Sequence, residues 1–246
     1  MNPLLSVVIP AFNEEARLGS TLEKVLAYLD SRRLAAEIVL VDDSSEDVTF
    51  SIAQRFCEQH KLADRMQILR SSQNQGKGFS IRRGMQAARG AFALMTDADL
   101  SSPIEELGKL EREVIGGAHD IAFGSRALED SVVALHQSWF RENSGKIFNR
   151  FVRLITGLPF HDTQCGFKLF KMSSCRALFE KQRLPRFGFD VELLYIASKW
   201  GLSMKEVPVV WRHAPGSKVR FATDAPRMFL DLFRIRWNDW RGYYER

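Results

Sequence analysis

The amino-acid sequence predicts an α/β fold with a mostly parallel central sheet and helices on both of its faces. Short apolar runs alternate along the chain with longer stretches in which apolar residues recur at helical spacing. Such runs are typical of strands buried on both faces, as in parallel sheets. Two of them, at 38–41 and 92–95, end directly or almost directly in acidic residues, and parallel sheets bind ligands beyond the carboxyl ends of their strands.

Four strands and three helices are predicted in the first hundred residues. The strands are the apolar runs at 6–9, 38–41, 68–69 and 92–95. The first helix has an apolar stripe formed by Leu18, Leu22, Val25, Leu26 and Leu29. The second helix is expected to start from a cap at Ser45 or Asp47 and to run toward His60. The third is expected to start at the glycine-bearing turn 74–78 and to run through Ala88.

In the second half of the chain the apolar pattern is less regular. The predicted elements are strands at 121–123, 166–170 and 207–211 and a helix at 190–200. A long amphipathic segment covers about 135–155, and a basic, aromatic tail covers 227–241. Because no Gly-, Pro- or Ser-rich linker divides the chain, we expect a single domain over residues 1–246.

The composition is that of a globular protein, with 45% hydrophobic and 26% charged residues. Lysine and arginine (35) exceed aspartate and glutamate (30), and the resulting charge of +5 favours anionic partners such as phosphates, nucleotides and acidic lipids. Three scattered cysteines without metal-binding spacing indicate reduced thiols in a cytosolic protein. We expect no signal peptide, and no apolar run approaches the roughly 20 residues of a membrane span, so any membrane attachment would be peripheral.

Four carboxylates follow two of the predicted strands. Asp97 and Asp99, one residue apart, are able to hold a hard divalent cation that would neutralise a diphosphate leaving group. Taken alone, this pair is better explained as a solvated turn with a helix cap. Asp42 and Asp43 end a second strand, however, and four clustered carboxylates repel one another unless a cation or ligand offsets their charge. The sequence therefore predicts a shared nucleotide and metal site.

The turn at 74–78 adds Lys77 and backbone N–H groups at a helix N-terminus, which suits a phosphate. An ordinary helix start is the alternative for this turn alone. The chain contains neither GxxxxGK[ST] nor a GxGxxG after its first strand, which argues against an ATPase or an NAD enzyme.

The sequence resembles the inverting glycosyltransferases of the GT-A (Rossmann-like) fold. The segments that occur in the order seen in that family are VVIPAFNEE at 7–15, VDDSS at 41–45, NQGKG at 74–78 and TDAD at 96–99. The chain looks most like the dolichyl-phosphate β-glucosyltransferase and dolichol-phosphate mannosyltransferase branch. The segments that narrow it to this branch are FGSR at 123–126, DTQCGFK at 162–168, FDVELL at 189–194 and GSK at 216–218. DTQCGFK and FDVELL favour the glucosyl enzymes, and the resemblance spans about residues 4–221.

This resemblance implies transfer of a hexose from a nucleoside-diphosphate sugar to a polyprenyl or dolichyl phosphate. UDP-glucose is the favoured donor and GDP-mannose the second candidate. The residues implied for the donor nucleotide and its diphosphate are Pro10, Ala11, Phe12, Glu14, Asp42, Asp43, Gly76, Lys77, Asp97, Ala98, Asp99, Arg212, Ser217 and Lys218. The metal, Mg²⁺ or Mn²⁺, would be bound by Asp97 and Asp99. Ser101 stands where relatives often have a metal-binding Gln.

The resemblance also divides the chain by task. Residues 1–100 would bind the nucleotide sugar, 101–221 the acceptor, and 222–246 would form an amphipathic basic helix. Arg126 and Arg141 match positions that bind the acceptor phosphate in the mannosyltransferase relatives, with Ser144 nearby. The loop that includes Arg212, Ser217 and Lys218 would close on the diphosphate. The residues expected to act in catalysis are Asp99, Arg126, Arg141, Asp162 and Lys218.

The nature of the acceptor decides whether a general base is needed. A phosphate monoester is already anionic, whereas a sugar hydroxyl needs a carboxylate base. Asp162, Asp190 and Glu192 are the candidates for that base. Structural alternatives are a helix cap for Asp190 and a turn fixed by Asp162.

Two amphipathic segments combine aromatic and basic side chains. The residues concerned are Trp139, Phe140, Phe148 and Phe151 with Arg141, Lys146, Arg150 and Arg153, and Phe229, Phe233, Trp237 and Trp240 with Arg227, Arg234, Arg236 and Arg241. Helices of this kind lie in bilayer interfaces or pack on a protein core. We expect a peripheral protein at the cytoplasmic face of a membrane, with no nucleic-acid partner. The rival hypotheses are a soluble GT-A glycosyltransferase with a saccharide or small-metabolite acceptor, a nucleotidyltransferase, and a non-catalytic basic binding protein.

Overall fold

The computed structural model describes residues 3–135, 139–212 and 221–246. The strands are β1 (Leu5–Ala11), β2 (Ala36–Asp42), β3 (Met66–Arg70), β4 (Phe92–Met95), β5 (Ile121–Ser125), β6 (Val132–Leu135), β7 (Lys168–Lys171), β8 (Met204–Pro208) and β9 (Val210–Arg212). The α-helices are α1 (Leu18–Ser31), α2 (Thr49–Gln59), α3 (Lys77–Ala87), α4 (Leu107–Val114), α5 (Trp139–Thr156), α6 (Met172–Lys181), α7 (Phe189–Lys199) and α8 (Phe221–Trp240). A short 3₁₀ helix, Ile104–Glu106, precedes α4.

Seven strands form the central sheet, in the order β3-β2-β1-β4-β7-β5-β8. Neighbouring strands are parallel except at β7, which runs antiparallel to both β4 and β5. The prediction of a mostly parallel central sheet is confirmed. β6 and β9 pair separately as a small parallel ribbon.

Helices cover both faces of this sheet, as predicted. The alternation along β1 shows how: Val7 and Ile9 pack with apolar residues of α1, α2 and α4, whereas Val8 packs with those of α3, α6 and α7. Successive side chains of a strand point to opposite faces, so a wholly apolar strand needs cover on both. All three cysteines are free thiols, and Cys165 and Cys175 are buried.

The predicted strand at 207–211 is wrong in one respect, because the chain changes sheets within it. Residues up to Pro208 pair with β5, and residues from Val210 pair with β6. Proline has no N–H to continue a hydrogen-bonded ladder, so β8 ends there. Val209 lies fully buried between the two strands. The sequence analysis also did not predict α4, α6 or β6.

Within the described segments 3–135, 139–212 and 221–246, no helix combines the length and the apolar character needed to cross a bilayer.

Candidate active site

The turn after β4 directs Asp97 and Asp99 out of the protein. Ala98 between them is buried, and its carbonyl accepts a hydrogen bond of 2.6 Å from the Thr21 hydroxyl on α1. The two flanking carboxylates are therefore turned toward the surface, with side chains 31% and 25% exposed. The N–H of Ser101 donates to Asp99 Oδ1 at 2.9 Å and orients that carboxylate. The turn thus presents two partly exposed carboxylates that are separated in sequence by the buried residue Ala98.

Lys77, the first residue of α3, forms an ion pair with Asp97, with 2.5 Å between Nζ and Oδ1. Burial by itself lowers the pKa of Lys77, but the carboxylates of Asp97 and Asp190 outweigh it, and the pKa is raised. Gly166 lies against the other side of Asp97, where a side chain would collide with the carboxylate. A side chain at residue 166 would therefore displace the Asp97 carboxylate from its present position.

Asp190, on α7, forms a buried ion pair with Lys168 at the start of β7. The Lys168 ammonium lies 2.5 Å from Asp190 Oδ1 and also donates to the Cys165 carbonyl. The Lys168 side chain has no exposed surface. Burial raises the pKa of Asp190 more than the charge of Lys168 lowers it. The sequence analysis missed Lys168, although a lysine inside an apolar strand pattern is itself a signal, because lysine is rarely buried without a partner.

Asp42 and Asp43, at the end of β2, are both buried. Asp42 pairs with Arg70, with 3.2 Å between Oδ2 and Nε. The Asp43 carboxylate accepts the N–H groups of Gln75, at 3.0 Å, and Gly76, at 2.7 Å. Those N–H groups therefore bind a carboxylate of the chain itself rather than facing outward toward a phosphate.

The repulsion expected among these four carboxylates is offset within the chain itself. Asp42 has Arg70, Asp43 has two N–H groups and Asp97 has Lys77. Asp99 has the Ser101 N–H and, at 3.9 Å, the Arg17 guanidinium. Of the four, Asp97 and Asp99 are the two with substantial exposure.

Residues 10–14 continue from β1 next to the end of β2. Ala11 pairs with Asp42 in the sheet, and the N–H of Asp43 donates to the Ala11 carbonyl at 2.9 Å. Beyond β1, the N–H of Asn13 donates to Ser45 Oγ, and that of Glu14 to the Thr49 hydroxyl. The two loops are thus joined, which places the segment from Pro10 through Phe12 to Glu14 beside Asp42.

Arg126, just beyond β5, makes a bidentate ion pair with Asp162. Its Nε and Nη2 lie 2.6 and 2.9 Å from the two carboxylate oxygens, and its backbone N–H donates to the same carboxylate. Burial raises the pKa of Asp162, but the charge of Arg126 outweighs this effect and the pKa is lowered. The guanidinium also lies 5.5 Å from the Trp211 ring. Glu206 fixes the segment by accepting the Asp162 N–H at 2.7 Å.

Asp97 and Arg126 lie on the same side of the sheet, just beyond the carboxyl ends of β4 and β5. Lys168, the first residue of β7, pairs with Met95 of β4 on one side and Phe123 of β5 on the other. Both neighbouring strands run antiparallel to β7 and therefore in the same direction, and Asp97 and Arg126 follow their last residues closely. The strands β4 and β5 are two strand spacings apart, about 10 Å.

The remaining predicted site residues are only partly accounted for. Arg212 lies beside the Asp-X-Asp turn, because its N–H donates to the Ser101 carbonyl at 2.8 Å. It lines a pocket of about 260 Å³ together with Asp99 and Lys24. Arg141 and Ser144 lie on α5. Ser217 and Lys218 fall outside the described residues.

Each candidate general base already has partners in the chain. Asp162 is bound to Arg126 and Asp190 to Lys168. Glu192 is buried and accepts hydrogen bonds from the Tyr244 hydroxyl and from the N–H groups of Arg183 and Leu184. Burial raises the pKa of Glu192 to about 6 against these hydrogen bonds. Glu192 is therefore bonded to the C-terminal tail and the loop before α7.

The donor set of the Asp-X-Asp turn fits a hard divalent cation. In the part of the chain that the structure describes, no three His, Cys, Asp or Glu residues are grouped so as to hold a metal ion. Asp97 and Asp99 would thus be the protein's contribution. Mg²⁺ and similar ions are commonly bound by one or two carboxylates together with substrate phosphates and water.

A partly exposed Asp-X-Asp pair at the carboxyl end of a central strand of a mostly parallel sheet is typical of the GT-A glycosyltransferases. The chain belongs to glycosyl transferase family 2, whose model matches residues 6–179. The predictions of a GT-A fold and of a glycosyltransferase are confirmed.

Three relatives that align with nearly the whole chain are dolichyl-phosphate beta-glucosyltransferases. The chain is 39% identical over 242 residues to the dolichyl-phosphate beta-glucosyltransferase of Drosophila melanogaster, covering 94% of this chain and 74% of that protein. It is 35% identical to the human dolichyl-phosphate beta-glucosyltransferase, with the same coverage. Identity to the Saccharomyces cerevisiae protein of that name is 33%, over 98% of this chain and 76% of that protein. The predicted resemblance to this branch of the family is confirmed.

Solved structures with lower sequence identity have the same fold. Glucosyl-3-phosphoglycerate synthase from Mycobacterium tuberculosis, in complex with Mn²⁺, UDP and phosphoglyceric acid, matches with a TM-score of 0.70 and 16% identity, over 99% of this chain and 79% of that one. A mannosyltransferase from Pyrobaculum calidifontis, in complex with GDP-Man and Mn²⁺, matches with a TM-score of 0.64 and 20% identity, over 95% and 65%.

Proposed function

We propose that this chain transfers glucose from UDP-glucose to dolichyl phosphate or a similar polyprenyl phosphate, with inversion at the anomeric carbon. The observation that supports this most directly is the pairing of two sites at one sheet edge. Asp97 and Asp99 are partly exposed there, and Arg126 follows β5, which lies two strand spacings from β4. A diphosphate site and a phosphate site at that separation suit a donor and an acceptor that are both anionic.

The donor half, residues 1–100, would bind the nucleoside between the loops after β1 and β2. These loops contain Pro10, Ala11, Phe12 and Glu14 on one side and Asp42 on the other. Asp97 and Asp99 would hold Mg²⁺ or Mn²⁺, which when bound neutralises the charge of the leaving diphosphate. Lys77 and Arg212, together with Ser217 and Lys218 from the sequence that follows β9, would add positive charge or hydrogen bonds there.

The acceptor half, residues 101–221, would use Arg126 and Arg141 to bind the acceptor phosphate. A phosphate monoester needs no general base, and the three carboxylates considered for that task all have partners: Asp162 with Arg126, Asp190 with Lys168 and Glu192 with Tyr244. This arrangement favours a phosphate over a sugar hydroxyl as the nucleophile. Alignment of the two anions would supply most of the acceleration, up to about 7–11 kcal/mol. An α-linked donor then gives a β-linked product.

The helices α5 and α8 would place the protein on the cytoplasmic face of the membrane that contains the acceptor. Phe151 of α5 packs edge-to-face on Phe229 of α8, which packs on Phe233, with ring centroids 5.2 and 5.4 Å apart. The exposed apolar residues of this joint surface, called here the aromatic surface, are Ile147, Phe151, Leu154, Leu230, Phe233, Trp237 and Trp240. Large exposed apolar patches mark protein or membrane contacts.

The charges around the aromatic surface suit anionic lipid. The same two helices also carry exposed arginines, namely Arg150, Arg153, Arg227 and Arg241. The acidic residues Asp231 and Asp239 on α8 are instead paired with Arg234 and Lys199. Asn149 of α5 also donates to the carbonyl of His161, next to Asp162. Helix α5, which carries part of the aromatic surface, is therefore in direct contact with the residue before Asp162.

A transfer assay tests this proposal. The chain is incubated with labelled UDP-glucose or GDP-mannose, Mn²⁺ or Mg²⁺, and polyprenyl phosphate, and the lipid product is quantified. We expect β-glucosyl lipid phosphate from UDP-glucose and at least about a hundredfold loss with Asp99→Asn. Asp64→Asn, at an exposed position away from the site, is the matched control. Transfer to phosphoglycerate or sugars but not to lipid would favour the alternative, a soluble enzyme with a small acceptor.

A further inference from the structure

The ammonium group of Lys77 lies where a cation bound to Asp97 would compete with it. Nζ is 2.5 Å from Asp97 Oδ1, the distance of a direct ion pair. Two further carboxylates lie near this pair. Asp190 is paired with Lys168 at 2.5 Å, whereas the Arg17 guanidinium lies 3.9 Å from Asp99 and 2.5 Å from Glu14. Of these carboxylates, Asp97 is the one paired directly with Lys77.

The backbone of Lys77 is fixed, whereas its ammonium group is not. Gly76, with φ of 102°, is bound through its N–H to Asp43, and a side chain at Gly78 would collide with the Leu184 carbonyl and Phe189. The backbone is thus closely packed at Gly78 and hydrogen-bonded at Gly76, and the Phe79 N–H also donates to the Pro185 carbonyl at 2.9 Å. The lysine side chain has a flexible four-carbon stem and is partly exposed, so its ammonium group can move by a change of rotamer while the helix stays in place.

A divalent cation at Asp97 changes the balance of charge. If Lys77 kept its position, three positive charges would lie within a few ångströms of one carboxylate, and like charges at that range repel strongly. A donor diphosphate offers Lys77 a new anionic partner next to the old one. Metal and nucleotide would then each favour the same movement of the ammonium group.

We propose that Lys77 occupies the cation position at Asp97 in the absence of donor, and that its transfer from Asp97 to the donor diphosphate couples metal binding to nucleotide binding. This inference rests on the proposed function for the metal site at Asp97 and for the kind of nucleotide that binds. Lys77 would then have a second task besides neutralising the leaving group. By competing for Asp97, Lys77 lowers the affinity for the metal until a diphosphate is present. Coupling of two ligands through one shared group is reciprocal, so each tightens the binding of the other.

Mn²⁺ titration of the full chain tests the proposal without any measurement of turnover. Binding is measured by the electron paramagnetic resonance signal of free Mn²⁺, with and without UDP, at constant ionic strength. Without UDP, Lys77→Met is expected to bind Mn²⁺ about tenfold more tightly than the wild type, because its competitor is gone. The factor by which UDP tightens Mn²⁺ binding is expected to fall by about tenfold in the same variant.

Lys199→Met is the matched control. Lys199 also forms a 2.5 Å lysine–aspartate pair, with Asp239, and is similarly exposed, but it lies at the opposite end of α7 from Asp190. It should bind Mn²⁺ as the wild type does. Adding Asp97→Asn to Lys77→Met should abolish the gain, which locates it at Asp97. Lys77→Gln serves as a second variant, and a melting curve of each protein verifies folding.

Unchanged or weaker Mn²⁺ affinity of both Lys77 variants without UDP would overturn the proposal. An unchanged coupling factor between Mn²⁺ and UDP would overturn it equally. Absence of UDP binding by the wild type at saturating Mn²⁺ would instead contradict the proposed function, and the titration with Mn²⁺ alone would still decide whether Lys77 competes for Asp97.

Discussion

Lys168 and Asp190 form an ion pair of 2.5 Å directly beneath the Asp-X-Asp turn, and the lysine side chain is completely buried. The pair connects the start of β7 to the first turn of α7. The pair makes Asp190 poorly suited to act as a base, because Oδ1 of its carboxylate is bound to the Lys168 ammonium group. It also makes both residues sensitive to substitution.

Lys168→Met is expected to destabilise the protein strongly, because it leaves the Asp190 carboxylate buried without its partner. Breaking a buried pair from one side costs about 3–5 kcal/mol. Urea denaturation gives the free energy of unfolding. The double variant Lys168→Met/Asp190→Leu should recover a substantial part of the loss. If the double variant is no more stable than the single one, the loss is not caused by the unpaired carboxylate.

Arg126→Ala is expected to impair use of the acceptor far more than binding of the donor. We predict about a hundredfold lower kcat/KM for polyprenyl phosphate, with the Kd of UDP within about twofold of the wild type. Steady-state kinetics and calorimetry provide the two numbers. Arg126→Lys keeps the charge but not the bidentate pairing with Asp162. Its kcat/KM for polyprenyl phosphate should therefore lie between those of the wild type and Arg126→Ala. Equal losses for acceptor and donor would contradict the assignment.

Glu192 is expected to make the stability of the fold depend on pH between about 4.5 and 6. Burial raises the pKa of Glu192 in the folded chain to about 6, above its ordinary value of 4.5. Its contribution is therefore fully present below pH 4.5 and is lost as the pH rises through 6, where the folded state must contain a buried charge. The change amounts to about 2 kcal/mol.

Urea denaturation across that pH range, for the wild type and for Glu192→Gln, isolates this contribution. The glutamine does not titrate, so the difference in unfolding free energy between the two proteins should change with pH in the stated direction. A difference that stays constant from pH 4.5 to 7 would show that Glu192 has an ordinary pKa.

Trp237 and Trp240 are expected to contribute to membrane binding. Their side chains are 56% and 75% exposed, so replacing both by serine removes apolar area from the aromatic surface without opening the core. We predict at least about tenfold weaker binding to vesicles that contain anionic lipid, measured by flotation at low salt. Val48→Ser, a half-exposed apolar residue near α2, is the control. If the double variant floats like the wild type, the aromatic surface contacts something else.

Features that follow from local sequence pattern were predictable. Wholly apolar runs mark strands covered on both faces, and the Asp-X-Asp turn lies directly after one of them. The partners of the site residues were not predictable in this way, because they come from distant segments. That Asp43 binds the turn at 75–76, and that Lys168 neutralises Asp190, depends on which side chains the tertiary fold brings together.

The split of the predicted strand at 207–211 has a similar cause. Pro208 was visible in the sequence, but the pairing of the residues after it with β6 is a long-range contact. Composition and periodicity report how a segment is buried and do not report its neighbours.

The position of β7 has a consequence for how the molecule assembles. This strand is formed by residues late in the chain, yet it lies between β4 and β5 and closes the gap between the two groups of parallel strands. Until residue 171 has been synthesised, β4 is an open edge, which invites pairing with other chains. Completion of the central sheet beside Asp97 and Arg126 is therefore a late event of high contact order, and the strands β1 to β4 alone do not make a finished unit.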